Sequence, residues 1–147
     1  MRLALLSDIH GNLEALQAVL KDINGQKVDR IVCLGDVVGY GADPAACLDL
    51  VAKHCAVTLM GNHECAALGR MDDQTLNEVA RASMTWTRNQ LKSGHRKQME
   101  SFPLEHWIDT VQLVHASPYE PDAWHYILTP PAASRAASAR GAACRPR

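Results

Sequence analysis

The sequence has no long apolar run and no large excess of either charge. Before Asp8, the N-terminus carries one arginine and a short apolar run at residues 3–6, too short for a secretory signal or a membrane span. The formal net charge of the 147 residues is -1, which argues against a broad surface for nucleic acid or membranes. We therefore expect one soluble domain with a sizeable core, without a membrane partner or a specific nucleic-acid site.

The sequence also has no Cys-x-x-Cys pair. Its five cysteines are Cys33, Cys47, Cys55, Cys65 and Cys144. An odd number of cysteines without close pairs is typical of free thiols in a reducing compartment and does not suit a disulfide framework. The expected location is the cytoplasm.

Apolar runs alternate with helical patterns over the first 60 residues. Residues 2–7, 30–34 and 56–60 each have the pattern of a buried strand. Between them, a helical pattern follows Asn12, and Asp43-Pro44 opens a second helix. This β-α-β-α-β order predicts parallel strands joined by right-handed crossovers.

The next part of the chain is predicted to be helical and then to form two strands. Apolar residues keep the spacing of one long amphipathic helix over residues 73–93, which Gly94 would end before the basic residues 95–97. Residues 105–109 and 110–114 have the pattern of two short strands.

The composition changes at Pro131. Residues 131–147 contain seven alanines and four arginines but no acid, whereas residues 1–130 carry 11 lysines and arginines against 16 acids. Such a segment buries too little apolar surface to offset its ordering entropy, so we expect disorder. A basic arm is one interpretation; a frameshifted or artificial terminus is favoured, because GC-rich DNA read out of frame encodes these residues. The predicted units are a domain at 1–130 and a tail at 131–147.

Polar side chains follow four of the predicted strands, at the point where each strand ends. They are Asp8 and His10, Asp36, Asn62 and His63, and His115. Because the carboxyl ends of parallel strands lie along one edge of a sheet, where ligands bind in open α/β folds, we expect these side chains to converge.

The chemistry of these side chains indicates a metal site. Aspartate, histidine and an amide oxygen without cysteine suit Mn, Fe, Zn or Ni better than Ca or a thiolate-bound metal. Carboxylates and imidazoles at one buried edge also need a cation to compensate their charge. Two cations that share one carboxylate would satisfy the set, and two-metal sites lower the pKa of bound water and bind phosphoryl oxygens.

The four motifs together resemble those of the calcineurin-like metallophosphoesterase superfamily. They are Asp8-x-His10, Gly35-Asp36-x-x-Gly39, Gly61-Asn62-His63-Glu64 and the His115 of VHASP. The stretch GDVVGYGADP is similar to the small bacterial phosphodiesterase branch. The resemblance covers residues 1–130 and implies an α/β fold, a metallophosphoesterase-type β-sandwich flanked by helices in four αββα layers.

The resemblance implies roles for five metal ligands. Asp8 and His10 would bind the first metal, and Asp36 would bridge both metals. Asn62 and His115 would bind the second. The implied cofactors are two divalent ions chosen from Mn, Fe, Zn and Ni, with Mn the first candidate.

The resemblance also implies hydrolysis of a phosphoester, by attack of metal-activated water on a small-molecule or nucleotide substrate. A phosphodiester is the favoured substrate class. His63 would not bind metal; it would contact the phosphate and protonate the leaving group as a general acid. The protein phosphatases of the superfamily carry Asp-Arg-Gly after their Gly-Asp, and residues 38–41, Val-Gly-Tyr-Gly, argue against that branch.

One motif of the family is missing from the sequence. The Gly-His-x-His that supplies one histidine to each metal has no match after His115, where His125 is the only later histidine. This predicts a chain without the C-terminal strands of the second sheet, with impaired activity and an uncovered sheet edge that favours a homo-oligomer. The alternative function is a catalytically inert binding or scaffold protein of the same fold.

Other residues near the motifs leave alternatives open. Tyr40 is equally compatible with packing and with substrate contact. Trp124 and Tyr126 are interpreted as core residues rather than as a substrate platform. Cys65 follows the third motif, but nothing nearby indicates the base that a thiol nucleophile needs.

Overall fold

The computed structural model describes residues 1–72 and 77–143, with side chains to residue 139. In chain order the elements are β1 Leu3–Leu6, α1 Leu13–Gly25, β2 Arg30–Cys33, α2 Pro44–His54, β3 Val57–Thr58, α3 Asn62–Ala67, α4 Glu78–Gln90, α5 Ser93–Glu100, β4 Glu105–Ile108, β5 Val111–Val114 and α6 Pro130–Ala143. A short 3-10 helix covers Pro121–Ala123. Within the described residues, no helix has the length and apolar character needed to cross a membrane.

The first sheet is parallel and has the strand order β1-β2-β3, as the β-α-β-α-β pattern predicts. β3 is shorter than the predicted strand at residues 56–60. The Leu59 N–H still donates to the Cys33 carbonyl at 2.9 Å, but the Met60 N–H turns to the Pro103 carbonyl at 2.9 Å. The chain therefore leaves β2 just before the candidate motif at residues 61–64.

Helices α1 and α2 contribute apolar side chains to a core shared with β2. Asn12 caps α1, because its side-chain oxygen accepts a hydrogen bond from the Ala15 N–H at 3.0 Å. Leu16, Leu20, Leu48 and Val51 of the two helices are buried in one cluster with Cys33, Val37 and Val38. This packing holds the loop after β2 against the helices.

The second sheet is an antiparallel pair of β4 and β5. Its Ile108 and Leu113 are buried in one cluster with Val32 of β2 and Leu59 just after β3. The two sheets therefore pack on each other through this cluster, and the two predicted strands are confirmed. The pairing places His115 directly after β5.

The predicted long helix over residues 73–93 is corrected by the structure. Residues 73–76 lie outside the described residues, and the rest forms two helices, α4 and α5. The break lies at Leu91, which is extended, with φ -90° and ψ 125°, and buried in the helix-facing core. Gly94 lies inside α5, together with the basic residues 95–97, because burial of Leu91 ends α4 earlier than the sequence pattern indicates.

The disorder expected from Pro131 is also corrected, since α6 spans Pro130–Ala143. Alanine and arginine are strong helix formers, and prolines at a helix start lose no intrahelical hydrogen bond. The Thr129 hydroxyl accepts from the Ala132 N–H at 3.4 Å, and Ala136 is buried. Residues 144–147 lie outside the described residues, and the frameshift origin of the tail stays a prediction.

Candidate metal centre

The loops after the strands run side by side at one edge of the parallel sheet. The Asp8 N–H donates to the Gly35 carbonyl at 3.1 Å, and the His10 N–H donates to the Asp36 carbonyl at 2.9 Å. The backbone of Asp8, His10 and Asp36 is left-handed, with φ of 56°, 50° and 53°. Such backbone conformations are costly for residues with a side chain and are concentrated at functional sites.

Asp36 lies at the centre of the cluster and is buried. Its Oδ2 is 3.3 Å from His115 Nε2 and 3.9 Å from His10 Nε2. Its Oδ1 accepts a hydrogen bond from the backbone N–H of His63 at 2.9 Å. Asp36 is thus within reach of imidazoles from two different loops.

Two groups of ligand atoms meet at this carboxylate. One consists of Asp8, Asp36 and His115, and the other of His10, Asp36 and His63, with the atoms of each group within 4.8 Å of one another. Asp36 belongs to both groups. The arrangement offers two adjacent positions for a cation with one shared carboxylate.

The two outer imidazoles are oriented by backbone carbonyls. His10 Nδ1 is 3.1 Å from the Val38 carbonyl, and His115 Nδ1 is 2.9 Å from the Leu34 carbonyl. Because a carbonyl oxygen only accepts, each Nδ1 carries a proton and each Nε2 faces Asp36. This is the usual orientation of histidines that bind a metal.

Asn62 completes the cluster on the side of His115. Its Oδ1 is 3.2 Å from His115 Nε2, which also lies beside Asp36 Oδ2. Three acceptor atoms at this separation need a proton or a cation between them. Burial lowers the pKa of His115, but the hydrogen bond and charge of Asp36 outweigh burial and raise it overall, as expected where the proton takes the cation's place.

His63 is buried beside the cluster, and its ring centroid is 4.6 Å from that of His10. Its Nδ1 has no hydrogen-bond partner among the described residues. Burial lowers the pKa of His63, while the charge of Asp36 opposes this shift. His63 is thus a neutral, desolvated imidazole next to the shared carboxylate.

Glu64 has a structural role that the sequence analysis does not predict. Its carboxylate is fully buried and accepts four backbone N–H groups, from Asp36 and Val37 at 2.8 Å, Gly61 at 3.0 Å and Val38 at 3.1 Å. Burial and the charge of Asp36 raise the pKa of Glu64 to about 7, against the effect of the N–H groups. Glu64 therefore ties the loop of Asp36 to the loop of Asn62. The only sequence signal is its place directly after Gly61-Asn62-His63.

A cavity of about 230 Å³ opens from the side of the cluster that carries His115. Trp124, His125 and Tyr126 line it together with Asp36 and His115. Tyr126 is 77% exposed, which corrects its interpretation as a core residue. His125 Nε2 instead pairs with Glu120 at 3.0 Å, and His125 joins neither ligand group of the described residues.

Comparisons with known proteins agree with this geometry. A sequence model described as calcineurin-like phosphoesterase matches residues 1–131. The chain belongs to the calcineurin-like phosphoesterase family. The fold class predicted from the sequence, an α/β sandwich of the metallophosphoesterase type, is confirmed.

Two relatives and one protein of similar fold illustrate how far the similarity extends. A crystal structure of a metallophosphoesterase from Sphaerobacter thermophilus superposes with a TM-score of 0.81 at 39% identity, covering 95% of this chain and 56% of that chain. An uncharacterized protein of Methanocaldococcus jannaschii is 38% identical over 130 residues, 86% of this chain and 54% of its own length. A hypothetical protein of Pyrococcus horikoshii has a TM-score of 0.70 at 21% identity, over 81% of this chain and 56% of its own. The chain thus spans about half the length of the relatives it matches.

The structure brings together every site residue named from the sequence. Asp8, His10, Asp36, His63 and His115 make up the two ligand groups, and Asn62 lies beside His115. His63, expected to stay free of metal, thus lies where its imidazole could also reach a cation. The donor set fits a divalent cation. Asp36 Oδ2 and Asn62 Oδ1 both lie close to His115 Nε2, and no hydrogen lies between these acceptors unless the imidazole is protonated. The division of roles among these residues stays a prediction.

Proposed function

We propose that this chain is a metal-dependent phosphoesterase that acts on phosphodiesters or nucleotide-type phosphoesters. The observation that supports it best is the position of Asp36 in two ligand groups at once. Asp8, His10, Asp36, Asn62 and His115 would hold two divalent cations, Mn²⁺ first among the candidates, since imidazole, carboxylate and amide oxygen suit it. When bound, such a pair supplies an activated water and a positive clamp on phosphate oxygens.

His63 is the proposed proton donor to the leaving oxygen. It lies at the cluster and, in this proposal, keeps its imidazole free of metal. Burial keeps the ring neutral, and an anionic phosphate beside it would raise its pKa and favour the protonated form.

A His63→Ala variant tests the enzymatic proposal. With Mn²⁺ present, we expect ~10²–10⁴-fold slower hydrolysis of an alkyl phosphodiester, and a smaller loss with bis-p-nitrophenyl phosphate, whose leaving group needs little protonation. A His54→Ala variant, at the end of α2, serves as the matched control and should not change either rate. Equal losses with both substrates would contradict the general-acid role.

A second candidate function is a catalytically inert binding protein. It is favoured by the pairing of His125 with Glu120, because the one histidine after His115 then lies outside both ligand groups of the described residues. For the same reason, we expect slow turnover by this chain. Hydrolysis no faster than in Mn²⁺ buffer alone would favour the inert protein.

A further inference from the structure

Tyr40 occupies a backbone conformation that its side chain disfavours. It lies between Gly39 and Gly41 with a left-handed φ of 60°. A Cβ at Gly39 would overlap with His63 Nδ1, and a Cβ at Gly41 would overlap with the His10 carbonyl. The turn therefore carries a single side chain, at a position where glycine would be less strained. A tyrosine at such a position points to a role for its ring.

The ring of Tyr40 lies against the candidate centre rather than in the core. Its centroid is 5.0 Å from the His10 ring and 4.7 Å from the His63 ring. The residue is nonetheless 53% exposed and lines an open depression of about 650 Å³ with Asp8 and His10. Packing against two imidazoles uses only part of the ring surface, and the rest faces the space beside the cluster.

The backbone of this turn is fixed from outside the turn. The Tyr40 N–H donates to the Ser83 hydroxyl of α4 at 2.7 Å, and the Gly41 N–H donates to the His10 carbonyl at 2.8 Å. The backbone that carries the ring is therefore held before any ligand arrives, which lowers the entropy cost of contacting one.

We propose that Tyr40 forms a wall of a substrate subsite for a planar organic group, such as an aryl ring or a nucleobase, carried by the phosphate on the His63 side. The proposal rests on the proposed function, because the phosphate must first lie at the Asp36 cluster. An aromatic face recognises planar groups by stacking. Because the ring contacts both His10 and His63, the planar group would lie at the end of the cluster that these two residues form.

Binding of two phosphonates to the Mn²⁺-loaded chain tests the subsite without turnover. Calorimetry with phenylphosphonate and methylphosphonate compares the same anion with and without a planar group. We expect phenylphosphonate to bind about fivefold more tightly to the unmodified chain, from the energy of one aromatic contact. Tyr40→Phe should keep this ratio and Tyr40→Ala should lose it, with methylphosphonate affinity and Mn²⁺ content unchanged.

Two further variants separate stacking from general effects on the fold. Tyr40→Gly removes both the ring and the backbone strain, so we expect a higher melting temperature together with loss of the phenyl preference. Tyr126→Ala removes an exposed tyrosine from the cavity on the His115 side and should keep the preference.

The possible results distinguish failure of the subsite from failure of the proposed function. A phenyl preference that survives in Tyr40→Ala, or that is absent from the unmodified chain, would overturn the subsite. Equal weakening of both phosphonates with loss of Mn²⁺ in Tyr40→Ala would overturn it in favour of a packing role. Failure of the unmodified chain to bind even methylphosphonate would refute the proposed function itself and the subsite with it.

Discussion

Asp36 lies in both ligand groups because three neighbouring residues hold it. Its Oδ1 accepts the His63 N–H, its own N–H donates to Glu64, and its carbonyl accepts the His10 N–H. These contacts direct Oδ2 toward His115 and His10. At the scale of single residues, the site depends on Glu64 as much as on the candidate ligands.

Glu64→Gln should destabilise the protein although glutamine has the same shape as glutamate. The amide would replace an oxygen that accepts backbone hydrogen bonds with an NH₂ donor, and would leave buried N–H groups unpaired. We expect a loss of roughly 2–4 kcal/mol in the free energy of unfolding, measured by urea denaturation. Glu105→Gln, at an exposed position in β4, is the control and should change it little. An unchanged midpoint in Glu64→Gln would show that the four hydrogen bonds do not hold the loops together.

The Asp36–His115 pair should make the metal-free protein sensitive to pH. Burial raises the pKa of Asp36, but the hydrogen bond and charge of His115 lower it overall. The contribution of Asp36 to the stability of the fold is therefore present above a pH near 3.8, its ordinary pKa. His115 has a raised pKa, so its contribution is full below about 6.5 and is lost as the pH rises through the raised value. With chelator present, the melting temperature should therefore fall above pH 6.5.

His115→Ala provides the matched comparison for this pH dependence. The variant lacks the imidazole that gains its proton in the folded state. Its melting temperature should therefore change less between pH 6 and 8 than that of the unmodified chain. The same decline in both proteins would exclude the pair as its cause.

At the scale of elements, the strand ends were predictable and the helix breaks were not. Short apolar runs that stop before Asp8 and Asp36 locate the ends of β1 and β2, whereas β3 ends earlier than its apolar run, and parallel pairing brings the three strand ends together. The extended Leu91 has no such signal, because an apolar residue at helical spacing suits either a continuing helix or a buried connection. Glu64 gave only its place after Gly61-Asn62-His63 as a signal, since its partners are backbone N–H groups. In the tail, composition indicated too little apolar surface, but helix propensity and the burial of Ala136 favour a helix.

Gly94→Ala tests the corrected boundary between α4 and α5. Gly94 lies in the first turn of α5, without a left-handed φ, and a Cβ there would meet no atom within 4 Å. Alanine should therefore raise the free energy of unfolding by about 0.5–1 kcal/mol, measured by urea denaturation. A loss of stability would instead support the sequence-based expectation that the chain turns at Gly94.

At the scale of the whole molecule, two packed sheets and their helices build one edge where the candidate ligands meet. The family match covers residues 1–131, and the chain spans about half the length of its relatives. We propose that this edge binds two divalent cations through one shared carboxylate. That claim concerns stoichiometry and so can be tested without a substrate.

The most direct measurement is Mn²⁺ binding by equilibrium dialysis against excess metal, comparing the unmodified chain with Asp36→Asn. We expect two ions per unmodified chain and the loss of both in the variant, because an amide does not supply the charge that two cations share. Asp122→Asn, in the exposed 3-10 helix, should bind two ions as before. Two ions retained by Asp36→Asn would contradict the account.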